Sequence, residues 1–348
     1  MKILTVSLPL VLFGIFPIGF CIEKTNGGIS GKEISYRIIP VVDRDYFPTA
    51  KKLIQGAEKS ICISMFVMKR GKKVNSFVNL LIEELKNAAK RGIKIIIFLE
   101  NKKVNQSTVD FLRGIRNIEI KFDSLQKTTH NKIIIIDQNT ILIGSTNWTE
   151  KSIGHANEAN VVIKDKEVTE YFQEYFDRLW KDSSKDISPF KSFTGDIIPL
   201  IDRQYFDVVK ELMSKSTQKV FVMVYGFKLS ETGDTKGDVL ANEMIKAKRR
   251  KVETKILLEK TNFSKQLNKM NSATIQYFKE NGVKARFGSK DIITHSKVVI
   301  IDDVVVLGAT NWSYSGLEKW HNTDILIGKR EIVDFFANYF EEKFNSDL

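Results

Sequence analysis

Hydrophobic and polar positions along this chain alternate between two periods, and they do so in the same order twice. In the first part, apolar runs at 61–68, 93–99, 118–122, 132–136 and 141–143 predict strands, the continuous ones buried on both faces. Apolar residues three and four apart predict helices at 49–59, 74–91 and 107–115, with another running from 168 to 180. The second part follows suit, with strands near 220–225, 255–258, 284–287 and 298–301 and a closing helix over 332–344. Strands alternating with helices imply a mixed or parallel sheet covered on both sides, so each part is expected to be an α/β sandwich.

The duplication also shows residue by residue. Ile38-Ile39-Pro40-Val41-Val42-Asp43-Arg44-Asp45-Tyr46-Phe47 returns as Ile197-Ile198-Pro199-Leu200-Ile201-Asp202-Arg203-Gln204-Tyr205-Phe206. Self-similarity on this scale means two homologous halves, and the polar stretch from Ser183 to Pro189 looks like the joint. The predicted organisation is a first domain over 29–182, a linker over 183–195 and a second domain over 196–348.

Composition adds bounds. The 348 residues, 43% hydrophobic and 28% charged, suffice for two domains of ordinary size, each with its own core. A formal net charge of +12 should attract phosphate-bearing partners, and does not by itself separate nucleic acid from anionic membrane. Residues 1–22 carry one charge, Lys2, ahead of an apolar run interrupted by Pro9 and Pro17; this predicts a signal peptide or an N-terminal membrane anchor, and hence an exported protein. Ile18-Gly19-Phe20-Cys21 loosely resembles a lipoprotein cleavage site, with Phe20 where such a site wants a small residue. With Cys21 in the leader, Cys62 is the only other cysteine; it is expected in the core, which excludes a disulfide framework and a cysteine-built zinc site.

The chemistry sits in one stretch that occurs twice. His130-Asn-Lys132 precedes four isoleucines and Asp137, followed by Gly144-Ser145-Thr146-Asn147-Trp148-Thr149; His295-Ser-Lys297 precedes Val-Val-Ile-Ile and Asp302, followed by Gly308-Ala309-Thr310-Asn311-Trp312-Ser313. Alternate strand residues share a face, so each histidine points the same way as its lysine. Glycine and asparagine suit the close-approach loop that follows. Phosphodiester hydrolysis needs an attack on phosphorus, neutralisation of the non-bridging oxygens and a proton for the leaving alkoxide. One imidazole can attack and another can donate, while lysines and asparagine amides hold the phosphate. Each half supplies only one histidine, so two halves facing each other complete the set.

This pattern, His-x-Lys-x4-Asp and then Gly-[Ser/Ala]-x-Asn, resembles the signature of the phospholipase D superfamily over nearly the whole chain after the leader. The resemblance implies two α/β sandwich halves related by a pseudo-twofold axis, with the active site at their interface. It makes His130 and His295 the nucleophile and the general acid/base, with His130 favoured for attack because in several relatives the N-terminal histidine attacks. Lys132, Lys297, Asn147 and Asn311 would form the phosphate site, with Ser145 beside it and its hydroxyl missing from the second copy at Ala309. Glu158 and Asp324, each three residues after a histidine (His155, His321), match the acidic position that orients a catalytic imidazole through its second nitrogen. His155 and His321 themselves are expected to be structural loop residues. Asp137 and Asp302, each ending an aliphatic strand at a turn, are expected to be structural, as are Gly144 and Gly308. No metal is implied, because the paired lysines would repel a cation, and no cofactor fingerprint is present. Both motifs lie in one chain, so a monomer should suffice for one site.

The substrate is narrowed less. The motif tails look like those of Nuc-type endonucleases and mitochondrial cardiolipin hydrolases. In the cardiolipin synthase branch Asp-x-Arg-Ser typically follows the asparagine, where this chain has Trp-Thr-Glu-Lys-Ser. The expectation is a phosphodiesterase releasing phospholipid headgroups at a membrane surface. The alternative is a secreted metal-independent endonuclease using the basic run Lys246–Lys251 as a phosphate track. Phosphatidyl transfer and a non-catalytic binding protein rank below both. Neither an interfacial amphipathic segment nor an aromatic stacking platform is visible in the sequence to settle the choice.

Overall fold

The computed structural model describes residues 37–346; the apolar leader at 1–22 lies outside them. The first half comprises β1 (Arg37–Val42), α1 (Tyr46–Gln55), β2 (Ser60–Met65), α2 (Phe77–Lys90), β3 (Lys94–Leu99), α3 (Lys103–Leu112), β4 (Ile118–Phe122), β5 (Lys132–Ile136), β6 (Thr140–Gly144), α4 (Glu150–His155), β7 (Ala156–Asn157), β8 (Ala159–Lys164) and α5 (Lys166–Lys181). Residues 182–196 carry no helix or strand. The second half comprises β9 (Ile197–Ile201), α6 (Gln204–Lys215), β10 (Lys219–Val224), α7 (Lys236–Arg249), β11 (Glu253–Leu258), α8 (Lys265–Glu280), β12 (Lys284–Phe287), β13 (Ile293–Thr294), β14 (Val298–Ile301), β15 (Val304–Gly308), α9 (Tyr314–Glu318), β16 (Thr323–Ile327) and α10 (Arg330–Asn345).

Each half folds around a seven-stranded mixed sheet, ordered β1-β8-β6-β5-β2-β3-β4 and β9-β16-β15-β14-β10-β11-β12, the same order twice. β2, β3 and β4 run parallel, whereas β5 is antiparallel to β2 and β6 to β5. The C-terminal ends of β2, β3 and β6 therefore lie at the same sheet edge as the N-terminal end of β5. That edge receives His130, Lys132, the Gly144–Asn147 loop and the turn before β8. The second sheet repeats the directions, so one edge of each sheet carries a complete copy of the motif.

Several boundaries differ from the hydrophobic pattern, for local reasons. α2 starts at Phe77 rather than 74 because Ser76 caps it, its hydroxyl accepting from Asn79 N. β2 ends at Met65 because the following residues leave the sheet: Phe66 N donates to Asn131 O, and Trp148 N donates to Val67 O. α3 begins four residues before the predicted 107 because its buried face is partly polar. Asn105 bonds Met68 N and Glu100 O, and Thr108 bonds Met68 O. Apolar periodicity does not register such a face.

The two halves do not have wholly separate cores. The outer face of each sheet has its own apolar cluster under α1 and α2, or under α6 and α7. The inner faces share a third, in which Ile133, Ile135 and Ile143 pack with Val298, Ile300 and Leu307 together with α5 and α10. A reciprocal pair of bonds, the first buried and the second partly buried, crosses the same boundary. Tyr175 on α5 donates to Asp202 of the second half at 2.8 Å, and Tyr339 on α10 donates to Asp43 of the first half at 2.7 Å. Removing a hydroxyl that serves a buried carboxylate costs about 1.5–3 kcal/mol. Tyr175→Phe and Tyr339→Phe are each expected to lower unfolding stability by about that amount in denaturant titrations. A change near zero for both would mean that the inter-half bonds contribute nothing.

Candidate active site

The motif strands place the histidines by main-chain pairing across the halves. β13 pairs with β7 in parallel, and His295 N donates to Asn157 O at 2.9 Å. In the mirror contact Thr129 bridges to His321, and His130 N donates to His321 O at 2.9 Å. Each lysine then bonds the carbonyl of its own histidine two residues earlier, Lys132 Nζ to His130 O and Lys297 Nζ to His295 O. The two-residue strand spacing thus fixes imidazole and ammonium as a unit.

Both ammoniums are buried, at 3% and 1% exposure, and an ammonium has three protons to donate. Burial pushes Lys132 well below the usual lysine range and Lys297 down to about 7. The Oδ1 atoms of Asn147 and Asn311 are buried without a hydrogen-bond partner. Two desolvated lysines and the Nδ2 donors of these asparagines, which make no hydrogen bond of their own, form a cradle for an anion, in which the orphaned oxygens, being acceptors, take no part.

The supports of the two histidines differ. His295 Nδ1 lies 2.9 and 3.0 Å from the two oxygens of Glu158, a residue of the other half. His130 Nδ1 faces Asn322 Oδ1 at 3.1 Å. Asn322 Nδ2 is held by Gly316 O at 2.8 Å, which fixes its oxygen toward His130 and so makes Nδ1 the protonated nitrogen, leaving Nε2 with its lone pair. Burial, with Lys132 and Lys297 adding to it, holds His130 well below the usual histidine range. Burial lowers His295 too, and there the Glu158 carboxylate works against it. His295 is the more readily protonated of the two. The same histidine draws Glu158 below the normal carboxylate range despite its burial.

These contacts correct the expected pairing of Glu158 with Asp324. Fourteen residues separate each motif glycine from its histidine support, which makes Glu158 the counterpart of Asn322 and Asn160 the counterpart of Asp324. Asp324 makes no bond to His130. Its oxygens take Thr310 N at 3.1 Å and Thr310 Oγ1 at 2.6 Å, bracing the loop that presents Asn311, as Asn160 braces Thr146. Burial raises Asp324 to about 7. Ser145 is corrected as well: rather than facing a phosphate, its hydroxyl donates to Glu158 at 2.5 Å and accepts from Ala159 N. Ser152 donates to the other Glu158 oxygen. The second copy has Ala309 and Gly316 at these two positions, opposite an amide that needs neither hydroxyl.

The remaining expected residues are placed as follows. Asp137 accepts from the main-chain N–H groups of Glu58, Lys59 and Ser60, and Asp302 from those of Thr217, Gln218 and Lys219, all at the sheet edge away from the histidines. A Cβ on Gly144 or Gly308 would come within about 2.4 Å of the neighbouring strand, so only glycine lets β6 and β15 pair there. His155 is exposed at the end of α4, whereas His321 is buried between Asp202 and Ser183 O at 2.8 and 3.0 Å, so the two are not equivalent. Among the described residues one set of acids and a histidine, Asp186, Asp202 and His321, brings ligand atoms within 4.8 Å. Both nitrogens of that histidine are engaged, and Asp186 is paired with Lys127 and Arg203. Cys62 is a buried free thiol raised to about 11 by burial.

Sequence reasoning missed three features. Glu100 and Glu259 directly follow β3 and β11 and accept the N–H of Thr129 and Thr294 at 2.7 and 2.6 Å, anchoring the residue just before each histidine; burial raises both to about 7. An acid in register at the end of two buried strands was the available signal. Phe66 and Tyr225 pack edge-on against His130 and His295 at 4.7 and 5.0 Å. Trp320 lies over His130 alone, at 4.7 Å, with no aromatic counterpart in the first half, where Ala156 stands.

Comparisons with known proteins bear on the family and the fold. The chain is 31% identical to the mitochondrial cardiolipin hydrolase of Chlamydomonas reinhardtii over 108 residues, 30% of this chain and 47% of that protein. It is 27% identical to a phospholipase D of Rickettsia prowazekii over 201 residues, 51% of this chain and 93% of that protein. It thus spans about half the length of the first relative and nearly all of the second. Among solved structures, phosphatidylserine synthase from Haemophilus influenzae shares the fold, with a TM-score of 0.71 at 10% identity over 89% of this chain and 86% of that one. The family model described as cardiolipin synthase, PLD-like domain, matches residues 50–180 and again 209–344, so the chain belongs to that family of the phospholipase D superfamily and carries its domain twice.

Proposed function

We propose that this protein is a phosphodiesterase that releases the headgroup of phospholipids through a covalent phosphohistidine. The observation that carries the reading is the unequal support of two histidines around two buried ammoniums. His130 Nε2, neutral with its lone pair free, attacks phosphorus. The bond from phosphorus to the headgroup oxygen breaks, and protonated His295 gives its proton to that oxygen. In the second step His295 takes a proton from water, the resulting hydroxide attacks phosphorus, and the P–N bond breaks. Lys132, Lys297, Asn147 and Asn311 hold the non-bridging oxygens through both steps. Glu158 keeps His295 oriented and chargeable, which is why the carboxylate stands on that side.

Two observations favour phospholipid over nucleic acid. The relatives above bear lipid-hydrolase names. The basic run Lys246–Lys251, the sequence candidate for a phosphate track, forms the last turn of α7 and the step into β11, at the sheet edge opposite the histidines. There Arg250 is held by Met213 O and Lys246 by Glu243. Export, expected from the leader, would place the enzyme beside its substrate. The test is a paired assay of the protein in excess chelator on labelled phospholipid vesicles and on single- and double-stranded DNA, with His295→Ala as the blank. Headgroup release by wild type alone is expected. Cleavage of DNA with intact lipid would make it a nuclease, and loss of all activity in chelator would refute the metal-free mechanism.

A further inference from the structure

Seven large apolar side chains are exposed among the described residues, and five of them stand at the catalytic edge. Val74 (90% exposed) and Phe263 (60%) lie in the segments that follow β2 and β11. Leu125 (88%) and Ile292 (39%) lie in the loops leading to the motif strands, five and three residues before His130 and His295. Tyr314 (51%) opens α9, just beyond Asn311. The strand directions bring these segments to one rim, because β2, β3, β10 and β11 end where β5 and β14 begin. The other two, Leu80 and Phe335, lie on helices.

Exposed lysines are interleaved with these residues. Lys72 and Lys73 precede Val74, Lys290 is two residues before Ile292 with Asp291 between them, and Lys151 and Lys319 stand 4.1 and 4.9 Å from the rings of Phe263 and Tyr314. Scattered exposed apolar residues need no explanation, but their concentration at one functional edge does. A nucleic acid would use the aromatic rings for stacking, yet Val74, Leu125 and Ile292 have no π-face to offer a base. Aliphatic tips among ammoniums match a bilayer interface, where hydrocarbon takes the tips and anionic headgroups take the charge.

We propose that this rim is a docking surface for anionic membranes, with Val74, Leu125, Ile292, Phe263 and Tyr314 entering the headgroup–acyl boundary while the neighbouring lysines hold lipid phosphates. It deepens the phospholipid reading and rests on it, because docking by the rim turns the mouth of the site toward its substrate. The surface is assembled from loops of both halves, so no single stretch of sequence shows it.

The test uses the full chain on vesicles of phosphatidylglycerol and phosphatidylcholine. Val74→Ser/Leu125→Ser/Ile292→Ser is expected to lose about tenfold or more in headgroup release from vesicles. Its kcat/KM on soluble bis(p-nitrophenyl) phosphate and its melting temperature should match wild type. Separately, the indole of Leu125→Trp should be quenched, beyond the wild-type signal, by lipids brominated in the acyl chain. Vesicle turnover by the triple variant equal to wild type would overturn the docking surface and leave the hydrolase standing, and an unquenched indole would overturn it too. A quenched indole on a protein that releases no headgroup would refute the phospholipid reading and leave docking intact.

Discussion

His130→Ala is expected to lower phosphodiester turnover on the order of 10^5, the scale of losing a nucleophile outright. His295→Ala should lower it by about 10^2–10^4 on substrates with alkoxide leaving groups, the usual contribution of a positioned acid. The two variants part when the leaving group is p-nitrophenolate, which departs without a proton. His295→Ala should then recover the first step and accumulate phosphohistidine, because the base that activates water is also missing. The expected signature is a burst of one nitrophenolate per enzyme and a phosphorylated protein that is acid-labile. His130→Ala should show neither. A burst from His130→Ala instead would exchange the two roles. Glu158→Gln adds a pH test: the carboxylate raises both His295 and Lys297, so its loss should move the alkaline limb of kcat/KM to lower pH.

This division of labour shows what the sequence carries and what it does not. The strands nearest the chemistry were legible because buried strands announce themselves: β5 and β14 fall where continuous apolar runs put them, and the partly exposed edge strands β4 and β12 match their expected ranges too. The duplication was legible because ten residues beginning at Ile38 return in order. The support of the histidines was misassigned because two His-x-x-acid spacings attracted a pairing that the chain does not use. Counting without a gap from Gly144 and Gly308 instead aligns Glu158 with Asn322. In that register Ser145 and Ser152 fall opposite Ala309 and Gly316, so the hydroxyls follow the carboxylate they serve. Glu100 and Glu259 went unnoticed because an acid after a strand ordinarily marks a turn. Only the fold shows that each reaches the residue before a histidine, and only strand direction gathers Val74, Leu125 and Ile292 from distant positions onto one rim.

The anion cradle should be bought at the expense of stability, and Lys297→Met tests both sides at once. Turnover should fall by about 10^3 or more, the low end of what a cation aimed at a transferring phosphoryl group supplies. Stability should rise, because a buried ammonium without its anion is costly and an apolar side chain of similar length is not. The pH dependence identifies the group. Lys297 in the folded chain titrates at about 7, whereas an unfolded lysine titrates at about 10.4. Between those values the unfolded chain binds more protons, so wild-type stability should climb with pH across that window; below it both forms are charged and the cost of burial is felt in full. Lys297→Met should flatten the climb and exceed wild type most at the acidic end. Inorganic phosphate should act in the opposite sense, raising the melting temperature of wild type by neutralising the cradle and doing much less for the variant. Equal stabilisation of both proteins by phosphate would mean that the anion binds elsewhere, and the two ammoniums would then need another partner. The arrangement accounts for why a fold would keep two desolvated lysines facing the same space: the energy forgone in the empty protein is recovered when the phosphodiester enters, and most of all as charge builds on its non-bridging oxygens.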